Sequence, residues 1–163
     1  NILEIAPRIN LGSVLQFDSA RSRRNMRAGY FDALRAIYGL KGSIYYIEQK
    51  AEECYYLKQL MQIRPEVMES LLTACQLEQE SGLELRNYIE VILPLFAAEL
   101  KLGKNWNYQS LYLAMLEGAA KFFRVPKYRI YTEGELLRAV CQKASEREWP
   151  EEMPGFVRVI LNR

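Results

Sequence analysis

Histidine is absent from all 163 residues. Imidazole is the side chain that titrates nearest neutrality without help, and it is the commonest metal ligand. Its absence removes the Ser-His and Cys-His nucleophilic pairs and every Glu-x-x-His metal site, and serines such as Ser70 and Ser110 are left without a histidine base. Cysteine is sparse as well: Cys54, Cys75 and Cys141 lie too far apart for a zinc finger or a C-x-x-C pair. Three unclustered thiols fit a reducing compartment and are expected in or near the core. There is no Gly-x-x-x-x-Gly-Lys-Ser/Thr and no Gly-x-Gly-x-x-Gly to cradle a phosphate. Long apolar runs are missing too, since the run from Ile92 to Ala98 is closed in by Glu90 and Glu99, far short of a membrane span. The opening Asn1-Ile2-Leu3-Glu4-Ile5 has no basic stretch followed by an apolar core, so no signal peptide is visible. These absences predict a protein that is not an enzyme, holds no cofactor or metal, and works in the cytoplasm. The chain does not begin with methionine; a processed product and a piece of a longer protein, for instance a C-terminal region, both fit.

What is present reads as helix. Half the residues are hydrophobic and 26% are charged, the balance of a globular domain rather than a disordered tail. Asp18 and Ser19 can cap a helix in which Tyr30, Leu34, Ile37 and Tyr38 share a face. Ile44, Ile47, Ala51, Cys54 and Met61 recur at helical intervals and predict one long amphipathic helix from Ser43. Pro65 suits the first turn of a helix over 65–81 that stops at Gly82. Leu85 to Phe96 continues the pattern, with Pro94 expected to bend or divide it. Asn107 caps the next helix, whose stripe is Leu111, Met115, Ala119 and Phe122. Lys127 to Tyr131 alternates and suits an extended connector, and Thr132 and Glu135 have capping-box spacing ahead of Leu136, Leu137, Val140, Cys141 and Ala144. The β-branched tail Gly155–Leu161 reads as a strand or an extended end, as does Ile9–Leu15, and the two ends could pair with each other or with a partner. The sum is an all-α bundle of about five to seven helices in a single domain over residues 1–163, with short extended ends.

Charge is segregated along the chain. Residues 1–41 carry +4, residues 42–100 carry −6 and residues 101–147 carry +5, although the total is only +2. Arg21, Arg23, Arg24 and Arg27 fall within seven positions, and Lys121, Arg124, Lys127 and Arg129 form a second basic stretch interleaved with Phe123, Tyr128 and Tyr131 and preceded by Tyr108 and Tyr112. Guanidinium forks suit phosphate oxygens and rings suit unstacked bases, so the two stretches together could form one backbone-binding surface. The plainer account is that such charges solvate helix faces and the rings fill the core. In the acidic middle, Glu48 and Glu52 are spaced to share a helix face, and an exposed, solvated face explains them better than a metal site.

A compact helical chain with the segments Arg21-Ser22-Arg23-Arg24-Asn25-Met26-Arg27 and Lys121-Phe122-Phe123-Arg124-Val125-Pro126-Lys127-Tyr128-Arg129 resembles the helical small subunit of CRISPR effector complexes, most of all the type I-D form made from the C-terminal part of the large subunit. The resemblance implies a non-catalytic subunit of an antiviral ribonucleoprotein. It would stack along the guide-bearing backbone with copies of itself or other subunits and support opened target DNA beside the guide RNA. Such a surface meets phosphates while the guide reads sequence. The alternative is a protein–protein adaptor without a nucleic-acid role, for which the paired Tyr45, Tyr46, Tyr55 and Tyr56 would be interface anchors.

Overall fold

A computed structural model of the chain describes residues 5–7, 11, 18–77, 82–146 and 153–162. The fold is mainly helical, with one short pair of parallel strands. The chain falls into two compact units, the first built from residues 1–49 and 126–133 and the second from residues 50–125 and 134–163.

The first unit is organised around α1 (Ser19–Tyr38). The Asp18 carboxylate accepts from the Ala20 amide at 3.0 Å and caps its start, and Gly39, at φ 64°, closes its end in the left-handed conformation that glycine takes without strain. The buried residues of this helix are Ala28, Asp32 and Arg35. The sequence expectation of an inward face made by Tyr30, Leu34, Ile37 and Tyr38 is therefore reversed: Tyr30, Ile37 and Tyr38 are exposed and Leu34 is half-buried. The long helix expected from Ser43 is also absent. Tyr45, Tyr46 and Ile47 are all buried in succession, which a helix face cannot do but an extended segment between two layers can. Tyr46–Glu48 forms β1, parallel to β2 (Ile130–Thr132), with Tyr46 opposite Ile130 and Glu48 opposite Thr132. The connector expected at 127–131 thus becomes the approach to a strand. Glu48 and Glu52 consequently share no helix, one standing in β1 and the other just before the first residue of α2.

The second unit holds α2 (Glu53–Met61), α3 (Pro65–Ala74), α4 (Glu84–Asn87), α5 (Leu93–Glu99), α6 (Tyr108–Phe122), α8 (Gly155–Leu161) and all but the first residue of α7 (Glu133–Ser145). Its core helix is α6, where Leu111, Met115, Leu116, Ala119 and Ala120 are fully buried. Asn107 starts α6 as expected, in a reciprocal capping box with Ser110. The Glu53 carboxylate adds a second cap, accepting from the Tyr108 amide at 2.7 Å. Here an acidic side chain meets the positive end of a helix. α3 ends at Ala74, short of the expected 81, and residues 78–81 lie outside the described residues.

Pro94 does not divide its segment, which stays helical from 84 to 99 and changes only its hydrogen-bonding pattern. A π-helical turn, Tyr88–Ile92, lets the Leu93 amide reach back five residues to the Tyr88 carbonyl just before the proline, which has no N–H to give. The tail over 155–161 is helix α8, not a strand. Its Phe156, Val157, Val159, Ile160 and Leu161 are buried, so tertiary packing overrides their β preference. Gly118 of α6 makes room for it, since a Cβ there would lie 2.7 Å from the Phe156 ring. Ile9–Leu15 falls outside the described residues except Leu11.

The cysteines depart from expectation. Cys54 and Cys75 are exposed and Cys141 is half-buried, because α2 turns Tyr56 and Leu60 inward, Cys75 sits beyond the end of α3, and α7 buries Leu136, Val140 and Ala144. Leu137 is likewise only half-buried. Among the described residues no helix is long and apolar enough to cross a membrane.

Candidate nucleic-acid interface

The arginines of α1 do not all point one way. Arg21 is seven residues before Ala28 and fourteen before Arg35, which puts it on the inner face, and it is half-buried. Arg23, Arg24 and Arg27 are exposed. The helix thus offers three solvent-facing guanidinium groups within two turns, held by the Asp18 cap.

The parallel pairing of β1 with β2 brings the end of the second basic stretch, Lys127 to Arg129, back to α1 within the same unit. Tyr128, just before β2, is the meeting point. The Arg27 guanidinium lies 5.1 Å from its ring centroid and the Lys127 ammonium 5.6 Å, both within cation–π range. Phe31, one helical turn beyond Arg27, packs against the same ring at 5.7 Å between centroids. Exposed Tyr30 stands edge-on to Phe31 at 5.4 Å. Arg129 is exposed, with its guanidinium 5.3 Å from the Tyr131 ring centroid, and the Tyr131 hydroxyl donates to the Pro126 carbonyl at 2.7 Å. Arg23, Arg24, Arg27, Lys127 and Arg129 therefore belong to one unit, and Arg27, Lys127 and Arg129 lie over tyrosine rings.

Lys121 and Arg124 belong to the second unit. Both are exposed at the C-terminal end of α6, where a cation also complements the helix dipole. Arg124 occupies the left-handed region at φ 55°. Of the interleaved rings, Tyr112 and Tyr131 are buried, which removes them as stacking surfaces, while Tyr108, Phe123 and Tyr128 are half-buried.

Beneath the basic face lies a polar cluster that the sequence did not announce. Asp32 Oδ1 accepts from Arg35 Nη1 at 3.1 Å and from the Tyr46 hydroxyl at 3.2 Å. Arg35 Nη2 donates to the Tyr45 carbonyl at 3.0 Å, and its guanidinium lies 4.2 Å from the Tyr46 ring centroid. Burial, reinforced by the nearby Asp32 charge, pushes the Tyr46 hydroxyl up to about 12. The cluster fixes α1 to the strand pair and so sets where Arg27 stands relative to Tyr128. Ala28, Asp32 and Arg35 have helical-face spacing, but charged residues are so seldom buried that the spacing alone gives no signal.

Two other features bear on function. Tyr45, Tyr46 and Tyr56 are buried and only Tyr55 of the four paired tyrosines is exposed, so they are core residues and not interface anchors. Among the described residues no group of three or more His, Cys, Asp or Glu side chains is placed to hold a metal ion. Comparison with family models, with curated proteins and with solved structures gives no match to the chain.

Proposed function

We propose that this protein is a non-catalytic subunit that binds the sugar-phosphate backbone of nucleic acid without reading sequence, through Arg23, Arg24 and Arg27 of α1 together with Lys127 and Arg129. The observation that carries the reading is the meeting of Arg27 and Lys127 over the Tyr128 ring, which joins two basic stretches that lie 100 residues apart in the sequence. Guanidinium and ammonium groups fixed beside tyrosine rings suit a strand whose phosphates are neutralised and whose bases are unstacked. The resemblance to CRISPR small subunits supplies an assembly in which such a surface acts, holding opened DNA beside a guide RNA that does the reading. Arg21, on the inner face, drops out of the phosphate set, and Lys121 and Arg124 form a separate pair on the second unit.

The test is a fluorescence-anisotropy titration with single-stranded DNA and RNA of mixed sequence over a range of salt. Replacing Arg23, Arg24 and Arg27 with Ala should weaken binding to all sequences alike and reduce the slope of log K against log salt by roughly 0.7 per lost phosphate contact. Circular dichroism should be unchanged, because the three side chains are exposed. Wild-type affinity and slope in the triple variant, with the fold intact, would overturn the assignment.

A further inference from the structure

An open cavity lies within the first unit, along the C-terminal half of α1 and the residues that follow it. Its volume is about 460 Å³, inside the range of roughly 300–1,000 Å³ over which proteins hold small molecules. Ile5, Ala6 and Pro7 give it apolar lining from the start of the chain, and Ala36 and Leu40 give more from α1 and just beyond. The charged residues that line it are Asp32, Arg35 and Lys41. Asp32 and Arg35 keep only 9% and 8% of their side-chain surface, whereas Lys41 is exposed.

The hydrogen bonds around this cavity leave one buried oxygen without a donor. Both bonds to Asp32, from Arg35 Nη1 at 3.1 Å and from the Tyr46 hydroxyl at 3.2 Å, end on Oδ1, and Oδ2 accepts none from the described residues. A carboxylate oxygen so deeply buried ordinarily has a donor, and Asp32 lines the cavity from which one can reach it. Arg35 is committed to the fold, with Nη1 on Asp32 and Nη2 on the Tyr45 carbonyl. The backbone donors at this end are committed as well: the Gly39 and Leu40 amides both donate to the Arg35 carbonyl, and the Lys41 amide donates to the Ile47 carbonyl. The Lys41 ammonium makes no ion pair among the described residues.

We propose that this cavity binds a free aliphatic amino acid, its ammonium donating to Asp32 Oδ2, its carboxylate paired with Lys41, and its side chain against Ile5, Pro7, Ala36 and Leu40. Charge decides between this ligand and simpler ones. One carboxylate and two cations line the cavity, and the C-terminal end of α1 adds roughly half a negative charge, so the balance is slightly positive. A bare amine would add to that positive charge. A bare carboxylate or phosphate would face the carbonyl end of the helix and leave Oδ2 without its donor. A zwitterion brings no net charge and supplies both the donor for Oδ2 and the anion for Lys41. Arg23, Arg24, Arg27, Lys127 and Arg129 are not among the lining residues, so the outcome is independent of the phosphate-binding result.

The experiment is isothermal titration calorimetry on the whole chain, without nucleic acid, using L-valine, L-leucine and L-isoleucine as probes. Glycine, 4-methylpentanoate and 3-methylbutylamine are the comparison ligands, lacking in turn the apolar side chain, the ammonium and the carboxylate. At least one of the three amino acids should bind saturably and one-to-one, and each comparison ligand should bind at least tenfold more weakly. Lys41→Gln should weaken the amino acid at least tenfold while leaving the weaker affinity for 3-methylbutylamine unchanged, a split that a general loosening of the fold would not produce. Ala36→Leu, which fills the cavity, should abolish binding of both. Circular dichroism checks the fold of each variant, and Asp32 is left intact because its carboxylate also holds α1 in place. Absence of saturable heat from all three amino acids overturns the proposal. So does 4-methylpentanoate binding as tightly as leucine, and so does an amino-acid affinity that neither Lys41→Gln nor Ala36→Leu changes, which would put the ligand elsewhere on the chain.

Discussion

Replacing Asp32 with Ala tests whether the polar cluster under α1 holds the first unit together. Asp32 and Arg35 keep only 9% and 8% of their side-chain surface, so solvent screens neither charge well. Removing the carboxylate takes away the acceptor of the Arg35 Nη1 bond at 3.1 Å and of the Tyr46 hydroxyl bond at 3.2 Å. Breaking a buried pair from one side costs about 3–5 kcal/mol, because the remaining charge loses its compensation, and the stranded hydroxyl accounts for about 1–3 kcal/mol of the same order of loss. Asp32→Ala should therefore destabilise by about 3–5 kcal/mol. That is a large share of the roughly 5–15 kcal/mol typical of a folded domain. Arg35→Ala should cost a similar amount. The double change Asp32→Leu with Arg35→Met removes both charges while keeping apolar volume, and should recover most of the loss, since a buried pair is worth little over a packed apolar substitute.

The assay is urea unfolding of wild type, both singles and the double, followed by far-ultraviolet circular dichroism and by the fluorescence of the two tryptophans, Trp106 and Trp149. Both tryptophans fall in the second unit and Asp32 in the first, so the two signals also show whether the units unfold together or apart. A cost below about 1 kcal/mol for Asp32→Ala, or a double variant as unstable as the two singles summed, would refute the reasoning.

Two further outcomes are expected. Burial raises Tyr46 to about 12 and shifts Tyr88, whose hydroxyl donates to the Leu60 carbonyl at 3.1 Å, upward as well; a raised folded value means their contribution is whole below about pH 10 and is lost as pH rises toward and through 12. The urea midpoint should accordingly hold to pH 10 and fall above it, with a shallower fall in Tyr46→Phe, and a flat alkaline profile would contradict this. Arg124→Gly should stabilise the protein by about 0.5–1 kcal/mol, because the left-handed conformation at φ 55° costs an L-residue about 1–2 kcal/mol and glycine gives back about 0.5–1 kcal/mol through the unfolded chain. Thermal denaturation checks it, and a lowered Tm would show that the arginine side chain contributes more than its backbone strain.

The helix ends were legible in the sequence where the chemistry is local. Asp18, Pro65 and Asn107 each start a helix as read, because a cap depends on residues two or three positions away. Pro94 likewise leaves a local mark, the π-helical turn that precedes it. The failures share a different cause. Tyr45-Tyr46-Ile47 became β1 only because residues 130–132 pair with it from more than eighty positions away, and the β-branched tail became α8 only because α6 offers Gly118 as a seat for Phe156. Of the candidate site, residue types were legible but exposure only in part, since Arg21 turns to the inner face and Tyr112 and Tyr131 are buried, and the meeting of Arg27 with Lys127 at Tyr128 depends on that same long-range strand pair.

Helix α1 is the instructive failure. Its hydrophobic pattern and its burial point in opposite directions, whereas in most of a protein local pattern and global packing agree. A polar inner face has to be held by specific bonds rather than by burial of apolar area, and the Asp32, Arg35 and Tyr46 cluster supplies them. An apolar outer face gains nothing for the isolated chain and is retained at the risk of non-specific association. Conflicts of this kind are expected where function overrides stability. The reading of α1 from sequence therefore failed because its inner face is held by polar bonds while its apolar residues stay in solvent, an arrangement that helical periodicity does not encode.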